Sequence, residues 1–175
     1  PMNPLDNAQM TSQMAQINTV TGIQQLNQTM ASMSGQFTAM QVLQGTSMIG
    51  RTVLTEGNTL GVAANGTHTA AFDLENQAAS VKIQITTAGG ELVDTIDLGA
   101  GAAGRNYFTW EGKDKYSGDA SQLRYSVVAT NGATAVASTP LAPHAVIATS
   151  SANGALSLEL DNGSSVAYSG VKAVY

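Results

Sequence analysis

Between Asp6 and Arg51 the chain runs through 44 consecutive residues without a single ionisable acid or base. That absence constrains the fold more than any other feature of the sequence. A helix laid on its own globular body normally keeps a charged face toward water. A disordered segment normally carries a high net charge and little apolar content. This stretch fits neither pattern. All seven Met and nine of the twelve Gln of the 175-residue chain fall within its first 48 positions. Charged residues make up 11 % of the whole, less than half the roughly 25 % of an ordinary globular protein. The apolar fraction is 43 %, enough to build a core, and the length suits one domain or two small ones.

Residues 5 to about 44 predict a helix, because Gln, Met, Ala and Leu are good helix formers and the segment contains no Pro. Asp6 or Asn7 is the expected N-cap. Apolar residues recur at Met10, Met14 and Ile17, then at Ile23, Leu26, Met30, Met33, Phe37 and Met40 with a 3-4 alternation. The two runs are out of phase by about one residue across Thr21-Gly22, which predicts a kink, a short break or a phase skip there.

From Ser47 onward the period is two. Val81, Ile83 and Ile85 alternate with Lys82, Gln84 and Thr86, and Leu156, Leu158 and Leu160 alternate with Ser157, Glu159 and Asp161. This is the signature of half-buried antiparallel strands. Strands are expected near 48–54, 69–74, 80–87, 91–98, 106–111, 123–130, 133–139, 144–149, 155–160, 164–168 and 171–175. Ala88-Gly89-Gly90, Asn131-Gly132 and Asp161-Asn162-Gly163 supply the turn residues. Short strands at this spacing imply a sandwich or barrel, so the chain reads as a helical arm followed by an all-β body. Trp110 alternates with Phe108 and is expected in the core of that body.

The search for chemistry returns little. Zero Cys removes thiol catalysis and disulfides. The two histidines, His68 and His144, lie far apart, whereas a zinc site needs three or four ligands. Gly99-Ala-Gly101-Ala-Ala-Gly104 satisfies a dinucleotide fingerprint by letter, but no helix follows it to meet a phosphate, so it reads as a turn. Glu111, Asp114 and Asp119 do not have the spacing of a calcium loop. No catalytic, metal or cofactor residue is assigned, and no cofactor is expected. The net charge of −5 and scattered basic residues, with Lys113/Lys115 the one close pair, argue against a nucleic-acid partner. No apolar run is long enough to insert in a membrane.

The arm suits association. Met repacks against different partners at low cost, and Gln can hydrogen-bond to a neighbour without the desolvation cost of a buried charge. The residues expected at an assembly interface are Met10, Met14, Ile17, Ile23, Leu26, Met30, Met33, Phe37 and Met40. They point to an assembly protein and not to an enzyme.

Three segments stand out as motifs. The first is Asn3-Pro4-Leu5-Asp6-Asn7 with Met10-Thr-Ser-Gln-Met-Ala-Gln-Ile-Asn-Thr-Val-Thr-Gly-Ile23 and Leu26-Asn27. The second is Met48-Ile-Gly-Arg-Thr-Val53. The third runs from Phe108-Thr-Trp110 to Asp114, with Gly118. Together they resemble the flagellar hook-capping family, FlgD, also called hook assembly or basal-body rod modification proteins. Glu111 stands where the family usually has Asp, and Ser121 to Tyr125 replace its Pro-x-Gly-x-Tyr turn while keeping Tyr125.

The resemblance implies a mainly β fold with an N-terminal helical arm, in which a fibronectin-III/Ig-like sandwich is inserted into a small Tudor-like barrel. The corresponding parts are the arm, 1–46; a discontinuous barrel, 47–64 plus 131–175; and the sandwich, 65–130, with Phe108, Trp110 and Tyr125 as core. It also implies residues ahead of Pro1. In function it implies an exported homo-oligomeric cap at the distal end of the growing hook, which helps exported hook protein fold and insert. The competing reading is a β-sandwich module that binds a peptide or carbohydrate; with nine Phe, Trp and Tyr in the chain, it has few aromatics to work with.

Overall fold

The computed structural model describes residues 4–62, 67–112, 114–152 and 155–175. Lys113, within the third resembling segment, lies outside the described residues.

A single helix, α1, runs from Pro4 to Thr46. Asp6 and Asn7 lie inside the helix, so neither is the expected N-cap. The helix also passes through Thr21-Gly22 without a break, so of the three expectations for that point the break is excluded. A Cβ at Gly22 would meet nothing within 4 Å, and the glycine costs only about 1 kcal/mol of helix propensity. Threonine side chains are accommodated by turning inward. Thr11, Thr19, Thr29 and Thr38 each donate to the carbonyl four residues back, at 2.8–3.0 Å.

A turn at Ser47–Gly50 ends the arm, with Gly50 at φ +82°. It displaces the first strand from the expected 48–54 to β1, Thr52–Glu56. The other strands are β2 (Gly61–Val62), β3 (Thr67–Leu74), β4 (Ala78–Thr86), β5 (Leu92–Gly101), β6 (Gly104–Glu111) and β7 (Arg124–Asn131). They are followed by β8 (Thr134–Val136), β9 (Ser138–Ala152), β10 (Ala155–Leu160), β11 (Ser165–Ala167) and β12 (Ala173–Val174).

One sheet has the order β5-β4-β7-β8. The other is curled, with a main path β11-β10-β9-β1-β12, and β3 joins it through β9 while also pairing with β2 and β6. β1 therefore pairs with strands near the far end of the chain, Thr52 opposite Ala145 and Val53 opposite Val174. Glycines turn the chain where expected, with φ of +87° at Gly90, +61° at Gly132 and +79° at Gly163. The segment read as a turn, Gly99–Gly104, is mostly strand: Gly99–Gly101 ends β5, opposite Val81 and Ala78, and Gly104 opens β6 in the other sheet, so the turn is confined to Ala102-Ala103.

β9 departs from expectation. Strands are expected near 133–139 and 144–149; the first is divided between β8 and the start of β9, and the second is the middle of β9, a 15-residue strand that runs through Pro140 and Pro143. The strand changes partners there. Ser138–Leu141 pairs with β3, Leu141–Ala145 with β1, and residues from Val146 onward with β10. A change of partner interrupts the ladder in any case, so a missing N–H is tolerated.

The body has two main cores. Phe72, Val81, Ile83, Ile85, Phe108, Trp110, Leu123 and Tyr125 fill the space between the sheets. Met48, Val53, Val146, Leu158 and Leu160 fill the curl. Leu54, Ala71 and Leu141 form a third cluster where β1, β3 and β9 meet.

Candidate assembly interface

The nine arm residues singled out from sequence are all solvent-facing. Together with Val20 and Leu43 they are 52–70 % exposed, a contiguous apolar surface of the kind that marks an interaction site. They do not share one face. At 100° per residue, Met10, Met14 and Ile17 point roughly 150° away from the mean direction of Leu26, Met30, Met33, Phe37 and Met40. That offset exceeds a slip of one residue. Ile17, Val20, Ile23 and Leu26 follow one another in steps of three, and each step turns the stripe about 60° backward around the axis. Val20 and Leu43 were not among the expected residues. The three-residue steps of 17, 20, 23 and 26 were the available signal for Val20.

Among the described residues the arm packs on the body at its root, against β9 and β10. Gly45 sits against Leu156 and Thr149, where a Cβ would lie 2.8 Å from Leu156 Cδ1, and Met48 is buried in the curl. These two residues of the uncharged stretch therefore serve the body and not a partner. Beside the root, Phe37, Met40, Gln41 and Gln44 face Leu156 and Tyr168 across an apolar groove of about 390 Å³. Gln41 lines this groove, and its Oε1 atom is buried without a hydrogen-bond partner among the described residues.

The body presents buried anchors and surface ties. Phe108, Trp110 and Tyr125 are all buried, with the Phe108 and Tyr125 rings edge-to-face at 5.0 Å. The Trp110 indole N–H donates to Asp94 Oδ2 at 2.8 Å, and Lys115 Nζ binds the same oxygen at 2.7 Å. Gly112 has no room for a side chain because a methyl there would land on the indole ring. Arg105 grips Asp73 through two hydrogen bonds of 2.8 and 2.9 Å and donates to the Lys172 carbonyl at 3.1 Å. It thereby ties β3 and β6 to the segment leading into β12. His68 packs on Trp110 and bonds the Gly61 carbonyl, and His144 bonds Asp161 at 3.1 Å. Among the described residues no three His, Asp or Glu side chains stand together as metal ligands. Asp119 caps the short 3-10 turn at Ala120–Gln122.

These ties carry a pH dependence. The Arg105 hydrogen bond, opposed by burial, holds the Asp73 carboxyl below its ordinary value. Burial acts to raise Asp94, but hydrogen bonds from Lys115 and Trp110 outweigh it and also leave that carboxyl lowered. A carboxylate lowered on folding stabilises the protein above its unfolded pKa of about 4, and that contribution is lost as pH falls through the folded value. Stability should therefore drop below about pH 4, and Asp94→Asn should flatten that drop. Urea melts of both proteins from pH 6 to pH 2 check it; parallel curves contradict it.

Residues 57–135 match the family profile described as FlgD Ig-like domain, and residues 1–32 match that of the flagellar hook capping protein, N-terminal region. Over 151 residues, 81 % of this chain, it is 40 % identical to the basal-body rod modification protein FlgD of Escherichia coli strain K12. The corresponding protein of Salmonella typhimurium is 38 % identical over the same length.

The chain belongs to the FlgD family.

The aligned part spans 65 % of the length of both these curated FlgD relatives. The fold agrees with FlgD crystal structures. That from Xanthomonas campestris superposes with a TM-score of 0.62 at 24 % identity, covering 77 % of this chain and 99 % of its own. That from P. aeruginosa superposes with a TM-score of 0.61 at 22 % identity, covering 73 % of this chain and 98 % of its own. At these identities the likeness concerns architecture, the mainly β body with its Ig-like sandwich.

Proposed function

We propose that this protein is a structural component of a cap at the distal end of the growing flagellar hook. In this reading it is exported, associates with copies of itself through the arm, and holds a space in which hook protein folds and inserts. The arm, residues 1–46, is the assembly element. The segments 47–64 and 131–175 form a small Tudor-like barrel carrying the Ig-like sandwich of 65–130.

The observation that carries this reading is the exposed, charge-free apolar stripe of α1. A surface of that kind on a helix that packs on the body at its root needs neighbours. A cap that admits subunits beneath it also needs contacts that re-form, and neutral Met and Gln side chains meet that need. Buried ion pairs would instead favour one fixed register. Family membership supplies the location. The competing binding-module reading would draw on aromatics, yet Trp110 and Phe108 are in the core.

The test is hook formation in cells whose own hook-capping gene is replaced by a Leu26→Asp/Met33→Asp version of this chain. Loss of hooks with the β body still folded supports the proposal. Hooks at the wild-type level overturn it.

A further inference from the structure

The fold divides the methionines of this chain sharply. Met10, Met14, Met30, Met33 and Met40 stand on α1 with 56–68 % of their surface in water, whereas Met48 is 8 % exposed inside the curl. Met2 lies outside the described residues. From Arg51 onward the chain contains no Met, and nowhere does it contain Cys. Thiolates and thioethers are the side chains that peroxides attack first, and exposure decides which of them react. The readily oxidised atoms among the described residues therefore sit on one element, α1.

We propose that the arm is a site of reversible oxidation: a peroxide converts Met10, Met14, Met30, Met33 and Met40 to sulfoxides and leaves the β body chemically unchanged. The step with hydrogen peroxide balances without a cofactor. The sulfur lone pair takes the terminal oxygen and the O–O bond breaks. The departing hydroxide then collects the proton of the transferred hydroxyl and leaves as water. Sulfur is oxidised and the peroxide is reduced, each by one electron pair. The product is a polar, chiral side chain in place of a flexible apolar one. Its placement makes the change large. Methionine supplies two of the three residues Met10, Met14 and Ile17, and three of the five residues Leu26, Met30, Met33, Phe37 and Met40. Both faces of the stripe therefore lose their apolar character together. A sulfoxide oxygen is an acceptor that an apolar neighbour cannot satisfy. Leu, an equally good helix former, would build as apolar a stripe with none of this chemistry. The consequence for association rests on the assembly reading above; the selectivity of the oxidation does not.

The test treats the whole chain, dilute and folded, with hydrogen peroxide and maps each methionine by peptide mass spectrometry. Met10, Met14, Met30, Met33 and Met40 should each gain one oxygen at similar rates, and Met48 about tenfold more slowly. In urea Met48 should match the others, which assigns its protection to the fold. The oxidised chain should leave a hydrophobic-interaction column earlier, and the two epimer-specific methionine sulfoxide reductases should restore its retention. A variant with Leu at all five positions (Met10→Leu, Met14→Leu, Met30→Leu, Met33→Leu and Met40→Leu) should keep its retention under the same treatment. Sedimentation at higher concentration should find the oxidised wild type dissociated and the treated variant associated. Met48 reacting as fast as the arm in the folded chain, or retention unchanged once the five sulfoxides have formed, overturns the proposal. An untreated chain that never associates overturns the assembly reading instead, and the mass and column measurements still decide this one.

Discussion

Tyr125→Phe is expected to lower the unfolding free energy by about 2–3 kcal/mol, although it removes a single oxygen. The hydroxyl is buried in the seam between the sheets. It accepts from the Leu141 N–H at 2.7 Å and lies 2.6 Å from the Ala71 carbonyl and 3.0 Å from the Leu141 carbonyl, either of which receives its proton. Leu141 is where β9 leaves β3 for β1, so the tyrosine of one sheet supplies the hydrogen bonds that the ladder of the other lacks at its changeover. Burial pushes the phenol well above its ordinary pKa, and it stays protonated across the working range. Phe fills nearly the same volume, so the loss measures unmet polar groups and not a cavity. Urea unfolding of both proteins at pH 7 reads it directly; a difference below about 0.5 kcal/mol would mean that the seam is held by packing alone.

The second large effect is expected from Leu26→Asp/Met33→Asp. Both residues lie on the later face of the arm, each more than 60 % exposed. In an isolated protomer their replacement touches nothing in the body, and the unfolding free energy of the β cores should change by less than about 0.5 kcal/mol. In an assembly, each Asp enters a neutral interface with no cation from Asn7 to Gly50 to receive it, which costs several kcal/mol per charge. Two such charges per contact are expected to weaken association at least 1,000-fold. Sedimentation over a concentration series gives the shift, and association within tenfold of wild type would exclude this face from the contact.

Much of the body was legible because alternation is a local property. Val81, Ile83 and Ile85 needed no partner to be assigned inward, and they are fully buried. The continuity of β9 through Pro140 and Pro143 was not legible, for the complementary reason. Whether a proline breaks a strand depends on which neighbour that strand has at that residue, and β3 and β1 lie about 70 and 90 positions earlier in the chain. The pairing of β1 with β12 joins residues about 120 apart and leaves no trace in periodicity; the resemblance to the hook-capping family supplied that expectation. The Tyr125 hydrogen bonds were invisible for the same reason, since a hydroxyl's partners are set by tertiary approach.

In the arm, the apolar residues were legible one by one, but their division between two faces was not. A helix wheel resolves it only once the helix is known to pass Gly22 unbroken. An arm broken at Gly22 would have let the two runs turn to one side.

The central claim is that the arm, and not the β body, brings copies of this chain together. The direct test is the solution mass of the full chain beside a form lacking residues 1–46, measured at matched concentrations. The full chain should exceed twice its 17.9 kDa protomer mass and dissociate on dilution, while the shortened form stays at one protomer. The same oligomeric state for both, whether monomer or multimer, would contradict the account.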